Sequence, residues 1–432
     1  MTKYLLQIWN SRDLRTKIFF TIFIVIVFRL LSQISIPGAN LDAIRGIFAQ
    51  NQLLGAFNVL TGGSAENFSI ILMGLSPYIN ASIIIQLLTV IIPSWEGLKS
   101  EGEMGQRKIS KYTRWLTIPL ALLQSYGTII LLNTQSQVPI IENMREPNVI
   151  IPIMLTITAG TVLLMWLGEL ISEKGIGNGI SILIFAGIIT SIPQALGGNL
   201  LVAGASNDKM IAFILTLIIT VVISIVVIMV TEGQRRIPIT YAGRGVKTEG
   251  NGDATLPIRV NQAGMVPIIF AFAIISFPTI IAQFLQNAKT DWIQAGAKWL
   301  ITNFQTNSLI YMLIYFLLNI LFTYFYVSIT FNPKEVAENI QKRGGYVPGI
   351  RPGTQTAEYL AKVSSHLNLF GGIFIGLIGV APMMYQYFFP GSIGSLQSIL
   401  SGAGMIIVVG VVLDLIRQVN AQLIMHDYKK FY

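Results

Sequence analysis

The 432-residue chain holds few groups that could do chemistry. It has two histidines, His366 and His426, and no cysteine. There is no HExxH, no GxxxxGKS/T and no pair of carboxylates inside an apolar stretch, so hydrolase, ATPase and metalloenzyme readings lose their support. No catalytic residue, metal site or cofactor is expected. Three ionisable side chains lie within or at the ends of apolar stretches: Arg29, Glu169 and Asp414. Such residues are functional candidates by default, although helix-end charges commonly snorkel and Arg29 could simply pair within a bundle. One arginine outside the apolar stretches stands out for its backbone. In "YVPGIRPG", Pro348 and Pro352 push their preceding residues toward extended geometry, so Arg351 is presented on a stiff, looped chain. On spacing alone this reads first as a solvated basic turn.

The remaining candidates are aliphatic. Ile79 and Ile83 in "GLSPYINASIIIQ" share a helix face at i, i+4, and so do Ile180 and Ile184 in "GIGNGISILIFAG". Isoleucine in a membrane span is ordinarily packing or lipid contact, and periodicity does not make these a constriction.

The elements that must position these residues follow from composition. Hydrophobic residues make up 53% of the chain and charged residues 11%, against roughly one-quarter charged in soluble domains. Apolar runs of about 20 residues, enough for a ~30 Å hydrocarbon core, recur from end to end. They predict an all-α integral membrane protein with ten spans, at 17–36, 69–92, 115–134, 150–170, 180–196, 210–230, 262–286, 307–329, 367–388 and 399–416. Of the 29 Lys and Arg residues, 23 fall before the first span, in alternate loops and after the last; five fall in the opposite loops. That asymmetry places both termini in the cytoplasm and accounts for most of the net charge of +9 without invoking nucleic acid. The basic N-terminal segment lacks a small-residue cleavage site and is expected to stay on the mature protein.

Three cytoplasmic loops are long, 93–114, 231–261 and 330–366, and look like docking surfaces for something soluble. In the third, Asn332 as N-cap, Pro333 at the first helical position and Glu335 three after the cap start a short helix, which Gly344 and Gly345 stop. In the second, alternation at Ile237, Ile239 and Tyr241, then glycine-rich turn chemistry, then Leu256 and Ile258, predicts a β-hairpin carrying Arg235, Arg236, Arg244 and Lys247. The spans divide five and five around 197–209, so an inverted repeat is topologically possible, although the halves show no convincing identity. On the outer side, "AFNVLTGGSAENFS" is too short to span and too apolar for an ordinary loop. Ala56, Val59, Leu60 and Gly63 follow a helical spacing, and by itself the segment reads as a short interfacial helix.

Seven segments, in order and at compatible spacing from about Arg12 to about Met425, resemble the SecY family of protein-translocase channel subunits: "SPYINASIIIQLLTVIIP", "LKSEGEMGQRKISKYTR", "GELISEKGIGNGISILIFAGI", "EGQRRIPITYA", "LPIRVNQAGMVPIIFA", "FNPKEVAENIQKRGGYVPGIRPGTQTAEYL" and "VVGVVLDLIRQVNAQLIM". The resemblance implies ten transmembrane helices in two inverted five-helix halves, 1–200 and 201–432, around an hourglass channel with a lateral gate between the second and seventh spans. It implies a ring of aliphatic side chains at the constriction: Ile79, Ile83, Ile180, Ile184, Val266, Ile269 and Ile407. Val266 is smaller than the isoleucine of the family pattern. The outer segment, about 57–68, becomes the family's plug, made of Asn58, Val59, Leu60, Thr61, Gly62, Gly63, Ser64, Ala65 and Glu66. The loops 231–261 and 330–366 become docking sites for the ribosome and the SecA motor ATPase, and Arg351 becomes a residue needed for coupling to the motor. Arg235, Arg236, Arg244 and Lys247 would join it, with Glu249 and Asp253 departing from the basic tip that the family pattern has.

The family also implies small SecE-like and SecG-like membrane subunits, signal peptides and nascent chains as clients, lateral release into the lipid bilayer, and no enzymatic activity of the chain's own. The expected location is the bacterial cytoplasmic membrane ahead of the thylakoid. Two other classes compete on the residues themselves. A secondary transporter would explain the Gly/Pro-broken spans but asks for more intramembrane carboxylates. A scaffold for membrane insertion would have no aqueous path.

Overall fold

Inside a bilayer the backbone must satisfy its own hydrogen bonds, so long apolar runs become helices. The computed structural model describes residues 11–50, 58, 61–92, 95, 97, 102–136, 138–141, 146–204, 207–241, 254–285, 290–305, 308–388 and 402–430. Among these residues the helices are α1 (Arg12–Gln33), α2 (Leu41–Gln50), α3 (Ser76–Ile91), α4 (Glu103–Gln135), α5 (Pro147–Lys174), α6 (Gly179–Ala203), α7 (Asn207–Glu232), α8 (Val266–Leu285), α9 (Asp291–Asn303), α10 (Leu309–Thr330), α11 (Pro333–Lys342), α12 (Thr354–Phe388) and α13 (Gly402–Lys430). The strands are β1 (Gln234–Tyr241), β2 (Ala254–Arg259) and β3 (Gly345–Tyr346).

A helix lies at each of the ten expected spans: α1, α3 to α8, α10, α12 and α13. Six helical stretches are both long and apolar enough to cross a membrane, in α4, α5, α7, α10, α12 and α13, and α3, α6 and α8 supply shorter apolar ones. The protein is a multi-pass membrane protein. On α1, Phe19, Ile22, Phe23, Ile26 and Leu30 are exposed, as are Ile211, Ile214, Leu215, Ile218, Val221 and Val222 on α7. Unpartnered apolar faces of this extent suit lipid rather than water.

Several boundaries differ from the sequence expectation. Residues 69–75 of the second expected span are turns, and α3 begins only at Ser76, with Pro77 in its first turn. Helices α4, α12 and α13 run past their apolar stretches, so 103–114 and 354–366 are helical rather than loop. A charged helical turn outside the bilayer needs no hydrophobicity, which is why hydropathy ends these elements too early. Two further helices, α2 and α9, form in connections where the hydropathy pattern places no span.

The helices preceding residue 204 form one neighbourhood: α1 packs on α5 and α6, α5 on α4 and α6, and α4 on α3. Those after it form another, with α8 on α10, α10 on α12, and α13 on both α7 and α12. The two groups meet where α8 touches α3 and α4 and where α6 touches α7 and α13.

The connections between α7 and α8 and between α10 and α12 fold together. Strand β1 pairs antiparallel with β2, Gln234 opposite Arg259 and Ile239 opposite Ala254, as the alternation predicted. Its other edge takes β3, Tyr241 opposite Gly345, giving the sheet order β2-β1-β3. Asn332 caps α11 through the Glu335 amide (3.4 Å), and Gly344, at φ 71°, ends it. Ile237, Ile239, Ile258, Ala337, Ile340, Val347, Ala357 and Leu360 bury one another as a single small core. The two expected docking loops are therefore one folded unit.

One close approach locks the non-helical stretch 61–75 in place. A Cβ on Gly160 of α5 would lie 2.0 Å from the carbonyl oxygen of Ile70, a backbone atom that cannot step aside. Elsewhere Gly→Ala in a helix gains up to about 1 kcal/mol of propensity, and Gly410, with nothing within 4 Å, is such a site. We expect Gly160→Ala to destabilise by about 1–3 kcal/mol through overpacking and Gly410→Ala to be neutral or mildly stabilising. Thermal unfolding in detergent, followed by tryptophan fluorescence, separates the two; equal midpoints would contradict the packing described.

Candidate functional site

The seven expected constriction residues lie within the first eight residues of four helices. Pro77 starts α3, placing Ile79 in its first turn and Ile83 one turn later. Asn178 starts α6: its Oδ1 accepts from the amides of Ile180 (3.1 Å) and Ser181 (3.2 Å), a side-chain N-cap that satisfies donors a helix start leaves free. Before α8, Asn261 exchanges bonds with Gly264, accepting from its amide at 2.9 Å and donating to its carbonyl. Val266 and Ile269 then lie in the opening turn of α8. Ile407 sits near the start of α13 and is 1% exposed.

These side chains are brought together in two adjoining clusters. Ile184 and Ile407 are core members of one, and Ile79, Ile180 and Ile269 pack against it. Ile83 is a core member of the other, and Ile79 and Val266 pack against that. Ile79 belongs to both, so the aliphatic groups of α3, α6, α8 and α13 form a continuous apolar junction. The three helices that bring Ile79/Ile83, Ile180/Ile184 and Val266/Ile269 are the three shorter apolar ones.

The segment expected as a plug closes on itself. Val59 and Leu60 lie outside the described residues; Asn58 is helical, and 61–75 forms successive turns instead of continuing the expected short helix. Its polar groups bond inside it. Asn58 donates to Glu66 Oε2 at 2.9 Å and accepts from the Glu66 amide at 3.0 Å. The Asn58 carbonyl receives the Gly63 amide (2.9 Å) and the Thr61 hydroxyl (3.1 Å). Ser64 Oγ reaches the carbonyls of Thr61 and Ile71. Thr61, Ser64 and Ala65 are buried, Gly63 and Glu66 partly so, which corrects the picture of an interfacial helix lying on the membrane surface. Phe68, at φ 45°, turns the chain back, and bonds from Ile36 to Phe68 and from Ile70 to Ile34 tie the return arm to the end of α1.

The tip of the segment sits directly beside the aliphatic junction. Gly62 has φ 70°, and a Cβ there would lie 2.8 Å from Cα of Gly187 and 3.2 Å from the Phe28 ring. Gly187 is three residues beyond Ile184, on the same stripe of α6 as Ile180. Ile71 and Leu75 belong to the same core as Ile184 and Ile407. The apparent role of Arg29 also becomes concrete: its Nη1 donates to the Gly62 carbonyl at 2.9 Å. Arg29 and Gly62 stand 33 positions apart, so their contact lies beyond any local sequence pattern.

The other intramembrane charges are paired. Glu169 on α5 accepts Arg114 of α4 at 3.1 Å. Arg417 on α13 bridges Asp414 (3.2 Å) and Glu232 of α7. Arg114–Glu169 and Arg417–Glu232 join neighbouring helices, Arg417–Asp414 lies within α13, and none needs a further task. On the folded unit outside the helices, Arg235 and Arg236 are exposed on β1, while Arg244, Lys247, Glu249 and Asp253 lie outside the described residues. Arg351 is exposed, and its backbone is held from both sides. The Ile350 amide bonds to buried Val347 (3.0 Å), and the Arg351 carbonyl accepts the hydroxyl of buried Thr356 (2.9 Å). Among the described residues its guanidinium has no ion-pair partner. His366, also exposed, has its Nδ1 at 2.7 Å from the Lys362 carbonyl.

Comparison with known proteins agrees with this architecture. The SecY family model matches residues 69–416. The protein translocase subunit SecY of Corynebacterium glutamicum is 41% identical over 443 residues, covering 98% of each chain. That of Mycobacterium tuberculosis (strain ATCC 25618 / H37Rv) is 39% identical over 437 residues, covering 97% of each. Among solved structures, a protein-conducting channel superposes with TM-score 0.67 at 19% identity, over 95% of this chain and 93% of the other. A SecY whose plug domain stabilises the closed state and maintains a membrane seal gives TM-score 0.67 at 20% identity over the same shares. Sec61 in the canine ribosome–channel complex gives 0.63 at 19% identity, again over 95% and 93%. With an apolar junction at helix starts, a buried self-bonded segment against it and relatives of this identity along its whole length, the chain belongs to the SecY family.

Proposed function

We propose that this protein is a passive protein-conducting channel, which passes unfolded polypeptide across the membrane and releases transmembrane segments sideways into lipid. The observation that carries the reading is the aliphatic junction of α3, α6, α8 and α13 with the turn segment 61–75 packed against it. A narrow apolar bore dewets and stops ions, while flexible aliphatic side chains yield around a passing chain. We assign the pore ring to Ile79, Ile83, Ile180, Ile184, Val266, Ile269 and Ile407 and the plug to residues 58–66. The chain divides into halves at about residue 200, and the α3–α8 seam is the lateral gate. Membrane helices meeting there through apolar side chains can separate without breaking polar pairs.

The driving energy comes from partners. The unit built of β1, β2, β3 and α11 presents Arg351, Arg235 and Arg236 to a soluble motor ATPase or to the ribosome, the latter being what one structural relative is bound to. SecE-like and SecG-like subunits complete the complex. The basic loops support a cytoplasmic face for this unit and for both termini, and bacterial relatives support the cytoplasmic membrane.

Deleting residues 58–66 should leave a folded channel with raised ion leak in proteoliposomes, because the deleted segment's hydrogen bonds are mostly internal; leak equal to that of the intact protein would remove the plug assignment. Arg351→Glu should abolish motor-driven export while the thermal midpoint stays put, since the exposed side chain supports no fold contact; export at the original rate would count against the docking role. Cysteines introduced singly at 79, 83, 180 and 407 of this cysteine-free chain should crosslink to a stalled translocating polypeptide. A control cysteine at exposed position 218 on α7 should not, and crosslinking there alone would place the path elsewhere.

A further inference from the structure

We infer that Arg29 is the positioning residue of the plug, holding its tip at rest through the Gly62 carbonyl. The inference rests on the plug reading above. The geometry is a clamp. Two consecutive residues of α1 engage one peptide: the Phe28 ring lies against Gly62, and Arg29 Nη1 bonds its carbonyl at 2.9 Å. Gly187 of α6 closes the other side, at a distance only glycine tolerates. Gly63 lies alongside, where a Cβ would be 3.8 Å from Arg29 Nη1.

Every other polar contact described for residues 58–66 stays within 58–71: Asn58 with Gly63 and Glu66, Thr61 with Asn58, Ser64 with Thr61, Ser69 and Ile71. Among the described residues, Arg29 to Gly62 is the polar bond that ties this tip to a membrane helix. To leave, the tip gives up that bond, its apolar packing and either its own bonds to residues 68–71 or, if those residues move with it, the two bonds that hold them to the end of α1.

The choice of acceptor suits a latch. Arg29 faces no carboxylate among the described residues; its other contact is Ser32 Oγ at 3.5 Å. A guanidinium–carboxylate pair at this partly buried site would separate more reluctantly, because parting it would leave two unpaired charges. A guanidinium on a neutral carbonyl is a charge-assisted bond strong enough to bias the resting position, and water entering an opened channel can replace the carbonyl. Hydrogen bonds to charged groups are worth enough to move a two-state equilibrium by about tenfold or more.

The test reconstitutes the channel with its small membrane subunits and measures ion leak for the intact protein, Arg29→Met, Arg29→Lys, the 58–66 deletion and the deletion combined with Arg29→Met. The inference expects Arg29→Met to leak about tenfold more than the intact protein, approaching the deletion, with Arg29→Lys leaking less than Arg29→Met because a cationic donor remains. It expects Arg29→Met to add nothing to the deletion, a result that a general disturbance of α1 would not give. If the deletion leaks and Arg29→Met does not, the latch is wrong and the plug stands. If Arg29→Met raises leak equally in both backgrounds, its role is structural and the latch is wrong. If the deletion itself does not leak, the plug reading fails and the latch falls with it.

Discussion

Peptide groups in hydrocarbon have no water to bond, so backbone that is not helical must be wrapped in protein and must satisfy itself. Residues 61–75 of this chain meet both conditions, and much else is arranged around them. Gly160 lets α5 approach the Ile70 carbonyl directly, Gly187 lets α6 approach the tip, and the return arm is stitched to the end of α1. Thr61, Ser64 and Ser69 are buried polar residues whose hydroxyls all find partners within 58–75. A buried hydroxyl without a partner would cost roughly 1–3 kcal/mol. Here internal pairing makes the segment tolerable to its apolar neighbours.

The same economy of polar contacts governs the helices. Charged side chains appear at a few places and join helices within a neighbourhood: Arg114 with Glu169 between α4 and α5, Arg417 with Glu232 between α13 and α7. The α3–α8 seam is lined instead by apolar groups such as Ile83, Val266 and Phe270. Apolar helix surfaces in lipid have no hydrophobic penalty for parting, whereas a broken ion pair would leave charges in hydrocarbon.

Outside the bilayer the physics reverses, and water drives folding. The sheet β2-β1-β3, α11 and the start of α12 bury their own small core, Leu360 and Ile237 at its centre. That core gives Arg351 a rigid mount, since the carbonyl of Arg351 and the amide of Ile350 are bonded to buried residues. A basic side chain on such a mount loses less conformational freedom on meeting an acidic partner than one on a mobile loop would.

Much of this was legible in order along the chain. A helix lies at each of the ten apolar runs, Asn332 and Glu335 determined the start of α11, and alternation at Ile237 and Ile239 determined β1, because each depends on residues a few positions apart. The tertiary structure alone decided that β3 joins β1, that the turn segment is buried instead of lying on the surface, and that α4, α12 and α13 continue beyond their apolar stretches. It alone decided that Arg29 meets Gly62 and that Ile79 touches both aliphatic clusters. Those outcomes turn on close approach between elements far apart in sequence. Periodicity and propensity describe what one element prefers, and only packing determines which carbonyl a lone arginine finds.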